Sequence, residues 1–245
     1  MSFDEPARPG GAFTIGFIAA LSIECTSLRR QSPSAERWLV VQSGPGAARA
    51  EAAAARAIDA GAQLLVSWGL AGGLSATVVP GTVVAPRRVL AQSTAPQFAV
   101  DAAWHSRLAA LADGLAVDFG DLLTVAEPLE SPAAKRAAAS ATNAVAVDME
   151  TAGIAAAAKR ARVPFVALRV VVDGVDDALP PGAASWIDER GRTRASAALR
   201  AVVDVRQWRP LLKLAQRYRV ASAALDRLAH ALAAGQTLGA LPAGS

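Results

Sequence analysis

Residues 142–177 read TNAVAVDMETAGIAAAAKRARVPFVALRVVVDGVDD, and this stretch indicates the fold class of the 245-residue chain. The apolar run 144–147 predicts a short buried strand, and the alanine-rich segment 151–162 predicts a helix. Residues 165–172 are apolar except for Arg169 and predict a second strand. Because a strand–helix–strand unit is almost always a right-handed parallel crossover, we expect the two strands to be parallel neighbours in an α/β fold.

Three acidic residues follow these two strands: Asp148, Glu150 and Asp173. The carboxyl ends of parallel strands meet at one edge of a sheet, and open α/β sheets bind their ligands there. Any one of these acids could instead serve a helix N-terminus or a turn. Taken together, the three indicate a ligand-binding or catalytic site at this edge.

The spacing of these acids resembles that in the purine nucleoside phosphorylase and methylthioadenosine/S-adenosylhomocysteine nucleosidase superfamily. Its members carry a Glu-Met-Glu-like signature, which corresponds here to Asp148-Met149-Glu150. They also carry an Arg-x-x-Ser-Asp-like strand end, which corresponds to Arg169 through Asp173. Neither half is specific alone, and the combination carries the resemblance.

Two further segments extend the resemblance to about residues 13–177. The segment 13–24 (FTIGFIAALSIE) is similar to the opening strand of the nucleosidases and places Glu24 at their water-activating glutamate. The segment 64–74 (LLVSWGLAGGL) is similar to their strand followed by a glycine-rich turn. Glycine at such a turn lets main-chain N–H groups approach a ligand closely.

The implied fold class is α/β, a single-domain mixed and largely parallel sheet flanked by helices. We expect residues 1–12 to form a flexible N-terminus and residues 13–235 to form one domain with a helical C-terminal part at about 196–235. Local patterns predict further strands at 13–20, 37–42, 63–68 and 82–85, and helices at about 22–30 and 47–60.

The resemblance implies cleavage of an N-glycosidic bond and assigns roles to three acids. Asp173 is expected to protonate the departing purine at N7, which is general acid catalysis. Glu150 is expected to hold the ribose 2′- and 3′-hydroxyls, and Glu24 to activate water. The other residues expected to bind substrate are Asp148, Met149, Leu70, Gly72 and Leu129.

Three departures from the family pattern keep a non-catalytic nucleoside-binding or regulatory protein as an alternative. Leu70 stands in the glycine turn where bacterial purine phosphorylases supply polar phosphate ligands. Val172 replaces a serine, and Pro128 lies near the position of an adenine-stacking phenylalanine. Because the expected acids are retained, the catalytic interpretation is preferred.

The acceptor of the ribosyl group stays open between water and phosphate. Glu24 and the change at Leu70 favour water, since a carboxylate repels phosphate. If the chain is a phosphorylase, phosphate is a co-substrate, and its binding residues are expected to be Gly44, Gly46, Arg49 and Gly73. No other cofactor is expected.

Within the superfamily, the chain most resembles the hopanoid-associated phosphorylases, which act on adenosylhopane. The matching segments are residues 67–73, 86–88, 131–135 and 176–181. Such a substrate would be drawn from a bilayer. The cationic C-terminal segment with Trp208 and Tyr218, together with the loop 174–186, predicts contact with an anionic membrane surface. Packing of this helix on the sheet or on a partner subunit through Leu211, Leu214 and Ala215 is the other interpretation, and the preferred one.

Composition excludes several other classes of protein. No apolar run approaches the ~20 residues of a membrane span, and the first dozen residues lack a signal sequence, so a cytoplasmic location is expected. A single cysteine, Cys25, forms no internal disulfide. His105 and His230 lack neighbouring ligands, so no metal is expected.

The remaining predictions concern partners. The net charge is +4, but only 5% of the residues are aromatic. So few aromatic side chains among the basic residues disfavour nucleic acid as a partner. The motif at residues 44–49 (GPGAAR) lacks the third glycine of a dinucleotide fingerprint. The expected partners are a small purine nucleoside and a second copy of the chain in a homodimer.

Overall fold

A computed structural model describes most of the chain. The described residues are 12–31, 37–92, 97–112, 114–179, 188, 191–192 and 208–234, with the side chains of 208–211 excepted. Some of the predictions above therefore lie outside the described residues. They concern the flexible segment 1–11, the loop residues 180–186, the helical residues 196–207 and 235, and the side chains of Trp208 and Leu211.

The described residues form ten strands and six helices. The strands are β1 (Thr14–Ala19), β2 (Arg37–Gln42), β3 (Leu64–Gly73), β4 (Val83–Val84), β5 (Arg88–Ala91), β6 (Gln97–Ala99), β7 (Val117–Asp118), β8 (Leu122–Thr124), β9 (Ala146–Asp148) and β10 (Phe165–Asp173). The helices are α1 (Ser22–Arg29), α2 (Ala47–Asp59), α3 (Ala102–Ala110), α4 (Pro132–Thr142), α5 (Thr151–Ala161) and α6 (Trp208–Ala234).

All ten strands belong to one mixed sheet, and β3 is its central strand. The main strand order is β6-β5-β8-β9-β3-β10-β4-β7, and β1 joins β3 while also pairing with β2. The β1–β2, β1–β3 and β3–β10 pairings are parallel. The predicted α/β class with a mixed, largely parallel sheet is confirmed.

The predicted parallel pairing of the strands before and after α5 is wrong. β9 pairs with the end of β3 in antiparallel orientation, whereas β10 runs parallel along the other edge of β3. β3 is long enough to pair with β1 through its first half and with β9 through its last two residues, so it separates β9 from β10. The acids still converge, because Val147 and Asp173 both pair with Gly72.

The predicted glycine-rich turn is also wrong in form. Gly69, Gly72 and Gly73 lie within β3, which continues to Gly73 instead of ending near residue 68. The continuation is stabilised by two partners, since β10 pairs along this segment and β9 pairs at its end. A local sequence pattern does not predict such long-range hydrogen bonds.

Alternating side chains of the central strands fill two apolar layers, as the period of a strand requires. Val166, Leu168 and Val170 of β10 face the layer that contains α1 and α6. Ala167 and Val171 face the layer that contains α2 and α5. Arg169 falls between Ala167 and Val171 in this alternation, so it shares their face of the sheet.

Helix α6 packs on β10 and α1, which confirms the packing alternative for the described part of this segment. The contact face is not the predicted one, since Ala215 is exposed and Leu214 is half-buried. The buried residues of α6 are Ala221, Ala224, Leu225, Leu228, Ala229 and Leu232. Across the described residues, none of the helices combines the length and apolar character needed to cross a membrane. Binding to a membrane surface stays a prediction.

Helices α2 and α5 approach closely because α2 presents alanine and α5 presents alanine and Gly153. Gly153 of α5 faces the main-chain carbonyl of Ala47, where a Cβ atom would collide. Gly153→Ala should therefore destabilise the fold by about 1–3 kcal/mol, as overpacking does, although alanine exceeds glycine in helix propensity by about 1 kcal/mol. Chemical denaturation measures the change.

The matched control is Lys159→Ala, an exposed change on the same helix. It should alter the free energy of unfolding by less than about 0.5 kcal/mol. A Gly153→Ala variant that is as stable as the wild type would show that α2 and α5 can separate without cost.

Candidate functional site

Glu24 lies in the first turn of α1, and main-chain amides bind both of its carboxylate oxygens. Oε2 accepts a hydrogen bond from the Leu21 N–H, and Oε1 accepts one from the Leu70 N–H, each at 2.8 Å. Burial raises the pKa of Glu24, while Arg169 and the amides oppose that shift. A raised pKa makes an ionised carboxylate a better base near neutral pH.

Gly69 makes room for this arrangement. Its φ is +149°, and an added Cβ atom would lie 2.5 Å from Glu24 Oε1 and 2.7 Å from Arg169 Nη1. Any side chain here would push the carboxylate and the guanidinium away from β3. Gly69 therefore allows these two protein side chains to approach the strand closely. Approach of a ligand to the glycine segment stays a prediction.

Glu150 lies at the start of α5, next to the loop that leads into α2. Its Oε1 accepts a hydrogen bond from the Gly46 N–H at 2.9 Å, and its Oε2 accepts one from the Met149 N–H at 3.3 Å. Burial raises the pKa of Glu150, Arg169 lowers it and the neighbouring Asp148 raises it further.

Asp173 ends β10 and is 3% exposed. Its carboxyl group lies over the main chain of Gly72, where an added Cβ atom would be 3.6 Å from Oδ1. Burial raises the pKa of Asp173, and the Lys135 ammonium, which donates a hydrogen bond to Oδ2, opposes that shift. A carboxyl group with a raised pKa can hold a proton for donation.

Arg169 is the buried cation that links the acids on the α5 face of the sheet. Its guanidinium is 2.7 Å from Asp148 Oδ2 and 3.8 Å from Glu150 Oε2. It also donates hydrogen bonds to Ser67 Oγ at 2.8 Å and Thr151 Oγ1 at 2.9 Å. In the sequence, Arg169 is a lone arginine in an otherwise apolar strand. It belongs to the matched motif, but the sequence pattern did not assign it a role in the site.

The carboxylate of Asp148 is enclosed by protein donors. Thr124 Oγ1 donates to it at 2.7 Å, and Thr151 donates through both its N–H, at 3.1 Å, and its hydroxyl. With Arg169 as a fourth partner, Asp148 fixes the guanidinium. Its predicted contact with substrate stays a prediction.

Of the other residues predicted to bind substrate, Met149 and Leu129 pack on one apolar cluster around Leu74, Leu123 and Val147. Leu70 is half-buried and packs on the opposite layer of the core, while its N–H holds Glu24. These predicted residues therefore contribute different groups near the same segment of β3. Leu70 contributes its main-chain N–H, and Met149 and Leu129 contribute their side chains.

The predicted phosphate ligands fall in two places. Gly44, Gly46 and Arg49 lie at the start of α2, whereas Gly73 is paired with Ala146 in the sheet. The Gly46 N–H is used by Glu150, and the Arg49 side chain donates to the Pro45 carbonyl at 3.0 Å. Phosphate binding at these residues stays a prediction.

Sequence reasoning did not assign two side chains that face the acids. Lys135 on α4 contacts Asp173, and Tyr218 on α6 is half-buried. Burial and the Glu24 carboxylate both raise the pKa of Tyr218. Lys135 had only a weak signal, its place one turn after the N-cap Ser131, and nothing local could bring Tyr218 from its distant helix to Glu24.

The sequence also drew attention to one cysteine, Cys25, and two histidines, His105 and His230. Cys25 is buried, and burial raises the pKa of its thiol to about 11, which keeps it protonated near neutral pH. His105 Nε2 is 2.8 Å from the Ala85 carbonyl, and His230 is exposed. In the part of the chain that the structure describes, no three His, Cys, Asp or Glu side chains group as metal ligands do.

The sequence of the chain matches a known protein family. A sequence profile of the phosphorylase superfamily matches residues 34–204. No functionally curated protein sequence matches the chain.

Several solved structures share the fold. The 5′-methylthioadenosine/S-adenosylhomocysteine nucleosidase from Neisseria meningitidis is 20% identical with a TM-score of 0.68, covering 90% of this chain and 98% of that one. The S-adenosylhomocysteine nucleosidase from Streptococcus pyogenes is 18% identical with a TM-score of 0.68, covering 92% and 97%. The futalosine hydrolase of Helicobacter pylori is 15% identical with a TM-score of 0.65, covering 89% and 97%.

Replacement of Arg169 by methionine should destabilise the chain by about 3–5 kcal/mol, because it leaves Asp148 and Glu150 buried without their cation. Arg169 lowers the pKa values of Glu24 and Glu150. Without it, the folded-state pKa values of these two groups rise further above their unfolded values, so the loss should grow as pH rises. Chemical denaturation at about pH 5 and about pH 8 measures this difference.

The matched control is Arg160→Met, which breaks an exposed ion pair with Glu51. It should cost less than about 1 kcal/mol at either pH. An Arg169→Met variant with the same stability loss at both pH values would contradict the electrostatic role of Arg169.

Proposed function

The chain belongs to the phosphorylase superfamily, and from this membership we propose that it cleaves the N-glycosidic bond of a purine nucleoside. The observation that supports the proposal most is the convergence of three buried carboxyl groups, Glu24, Glu150 and Asp173, around the last residues of β3. Burial raises the pKa of each of them. Glu24 comes from a part of the chain that is distant from Glu150 and Asp173. A purely local role at a helix end or turn does not require this convergence.

This reaction needs acids with opposite tasks. As the bond breaks, positive charge develops on the ribose and negative charge on the purine. A proton donor on the purine side lowers the barrier, and so does fixed negative charge on the ribose side. In the proposed reaction Asp173 gives its proton to purine N7.

Glu150 would hold the ribose in this reaction. One carboxylate can accept hydrogen bonds from both the 2′- and the 3′-hydroxyl, and its charge stabilises the developing cation. Burial raises the pKa of Glu150 while Arg169 lowers it, so the guanidinium favours the ionised form that this role needs. The apolar cluster with Met149 and Leu129 would contact the purine or the sugar.

We propose water as the acceptor. The Leu70 N–H is engaged by Glu24, and the Gly46 N–H is engaged by Glu150, so two amides that could bind phosphate bind carboxylates. A phosphate dianion at this place would meet the charge of both acids. A water molecule at Glu24 would instead lose its proton to that carboxylate as it attacks C1′. Phosphorolysis is the alternative outcome of the test below.

We propose an adenine nucleoside with an apolar 5′ group as substrate, with adenosylhopane as the candidate. This part of the proposal rests on the resemblance, stated from the sequence alone, of residues 67–73, 131–135 and 176–181 to the hopanoid-associated phosphorylases. A non-catalytic binding protein is not favoured, since binding alone does not need a proton donor and a base on opposite sides of a ligand.

Asp173→Asn should lower kcat for an adenine nucleoside by roughly 10²–10⁴-fold, because the amide has no acidic proton to give to N7. KM should change little, since the loss falls on the transition state. Adenine release measured by absorbance or chromatography reports both constants. Asp176→Asn, an exposed change three residues away, should retain wild-type turnover.

Turnover of Asp173→Asn near that of the wild type would remove Asp173 from the role of general acid. A loss shared by Asp176→Asn would point instead to disturbance of the loop that follows β10.

Adenine should be released in phosphate-free buffer with free ribosyl sugar as the second product, because Glu24 activates water. Adenosine, 5′-methylthioadenosine and adenosylhopane are the substrates to compare. Glu24→Gln should lose roughly 10²-fold or more in kcat, whereas Glu51→Gln, on the exposed face of α2, should not. Turnover that requires phosphate and yields a ribose 1-phosphate would assign the chain to phosphorolysis.

A further inference from the structure

Lys135 is a buried lysine whose three ammonium hydrogens all meet acceptors. It lies in the second turn of α4 with a side chain 1% exposed. Its Nζ donates hydrogen bonds to Asp173 Oδ2, to the Gly174 carbonyl at 2.9 Å and to the Asp177 carbonyl at 2.9 Å. Three acceptors for three hydrogens is the environment of a charged ammonium, since neutral lysine has two hydrogens to donate.

The loop that follows Asp173 is held on two sides. The Gly174 N–H donates to Asp177 Oδ2 at 2.9 Å, which closes the loop on itself. Arg136 of α4 pairs with Asp176 at 2.6 Å, and Arg217 of α6 pairs with Asp177. Lys135 is the member of this set that reaches through the loop to the catalytic carboxyl group.

Lys135 contacts one of the two carboxyl oxygens of Asp173. Oδ2 accepts from the ammonium, whereas no protein donor contacts Oδ1 among the residues that the structure describes. Both oxygens lie beside Gly72, 3.6 and 3.8 Å from the place of an added Cβ atom, on the segment of β3 whose Leu70 amide binds Glu24. Within the described residues, Oδ1 is therefore the oxygen that can meet a ligand, because the ammonium binds Oδ2.

We propose that Lys135 is a positioning residue for the proposed glycosidic cleavage, and the proposal rests on that function. It holds Oδ2, so that Oδ1 is the oxygen that carries and donates the proton. The proton moves from Oδ1 to purine N7, and the electron pair of the C1′–N9 bond moves to the purine. The carboxylate that remains is paired with the Lys135 ammonium, which keeps its own protons throughout.

The charges around Asp173 agree with this role. Lys135 faces it from α4, Asp177 from the following loop and Arg217 from α6, while β3 presents the uncharged Gly72. Burial raises the pKa of Asp173, and Lys135 is the strongest opposing influence. An acid whose pKa lies far above the working pH holds its proton but donates it poorly. Lys135 thus keeps a buried acid strong enough to react.

The test is the pH profile of kcat for Lys135→Gln, which removes the charge and keeps hydrogen-bond donors. Since the general acid must be protonated, kcat falls as pH rises through the pKa of Asp173. Loss of the cation raises that pKa, so the falling limb should move to higher pH. At the plateau, kcat should be roughly 10- to 100-fold below wild type, because the acid is weaker.

Two further variants separate charge from structure. Lys135→Arg keeps the charge, and its falling limb should stay near that of the wild type even where turnover is reduced. Arg136→Gln removes the neighbouring cation that binds the same loop without touching Asp173, and it should leave both kcat and the limb unchanged. Thermal unfolding of each variant reports whether the fold is retained. If Lys135→Gln does not fold, Lys135→Arg decides, and a displaced limb in that variant overturns the proposal.

A substrate with a leaving group that needs no proton gives a second measurement. 4-Nitrophenyl riboside releases a stable phenolate, so Lys135→Gln should cleave it within about threefold of the wild-type rate. Equal losses on this substrate and on adenosine, or an unmoved pH limb, would overturn the role of Lys135. Failure of the wild type to release adenine from any nucleoside would overturn the proposed function itself, whatever the behaviour of Lys135.

Discussion

The ion cluster around Arg169 connects the strands and helices that carry the acids. One guanidinium lies within a few ångströms of Asp148 and Glu150, and it also lowers the pKa of Glu24. Buried charges of this kind add little net stability, but removal of one partner is costly. The cluster therefore constrains the fold, because β3, β9, β10 and α1 must keep their relative positions for its charges to remain neutralised.

A second buried cation divides the site by function. Arg169 acts on Glu24 and Glu150, which are proposed to work as carboxylates, and Lys135 acts on Asp173, which is proposed to work as an acid. Environments that give different tasks to chemically similar groups are the usual means by which a site runs acid and base chemistry together. Here the division follows the sheet, with Arg169 between β10 and α5 and Lys135 on α4 above the end of β10.

The sequence predicted the elements that have local signals. Apolar runs gave the strands that became β1, β2 and β10 and alanine-rich runs gave α2 and α5, close to their observed bounds. The pairing of β9 was wrong because its antiparallel contact with Gly72 and Gly73 depends on residues far away in sequence. Local periodicity carries no information about such a partner.

The candidate site divides in the same way. Glu24, Glu150 and Asp173 were identified because motif spacing and strand ends mark them. Lys135 was not, since its importance arises from the fold of the loop 174–177 over α4. Tyr218 was read as a surface residue because helical periodicity alone does not tell which face packs on the sheet.

A crystal structure with a cationic transition-state analogue of an adenine nucleoside would test the proposed roles of the three acids together. We expect N7 of the purine within hydrogen-bond distance of Asp173 Oδ1, both sugar hydroxyls at Glu150 and a water molecule between Glu24 and the cationic centre. An analogue bound away from the end of β3, or bound there with its purine out of contact with Asp173, would contradict these roles.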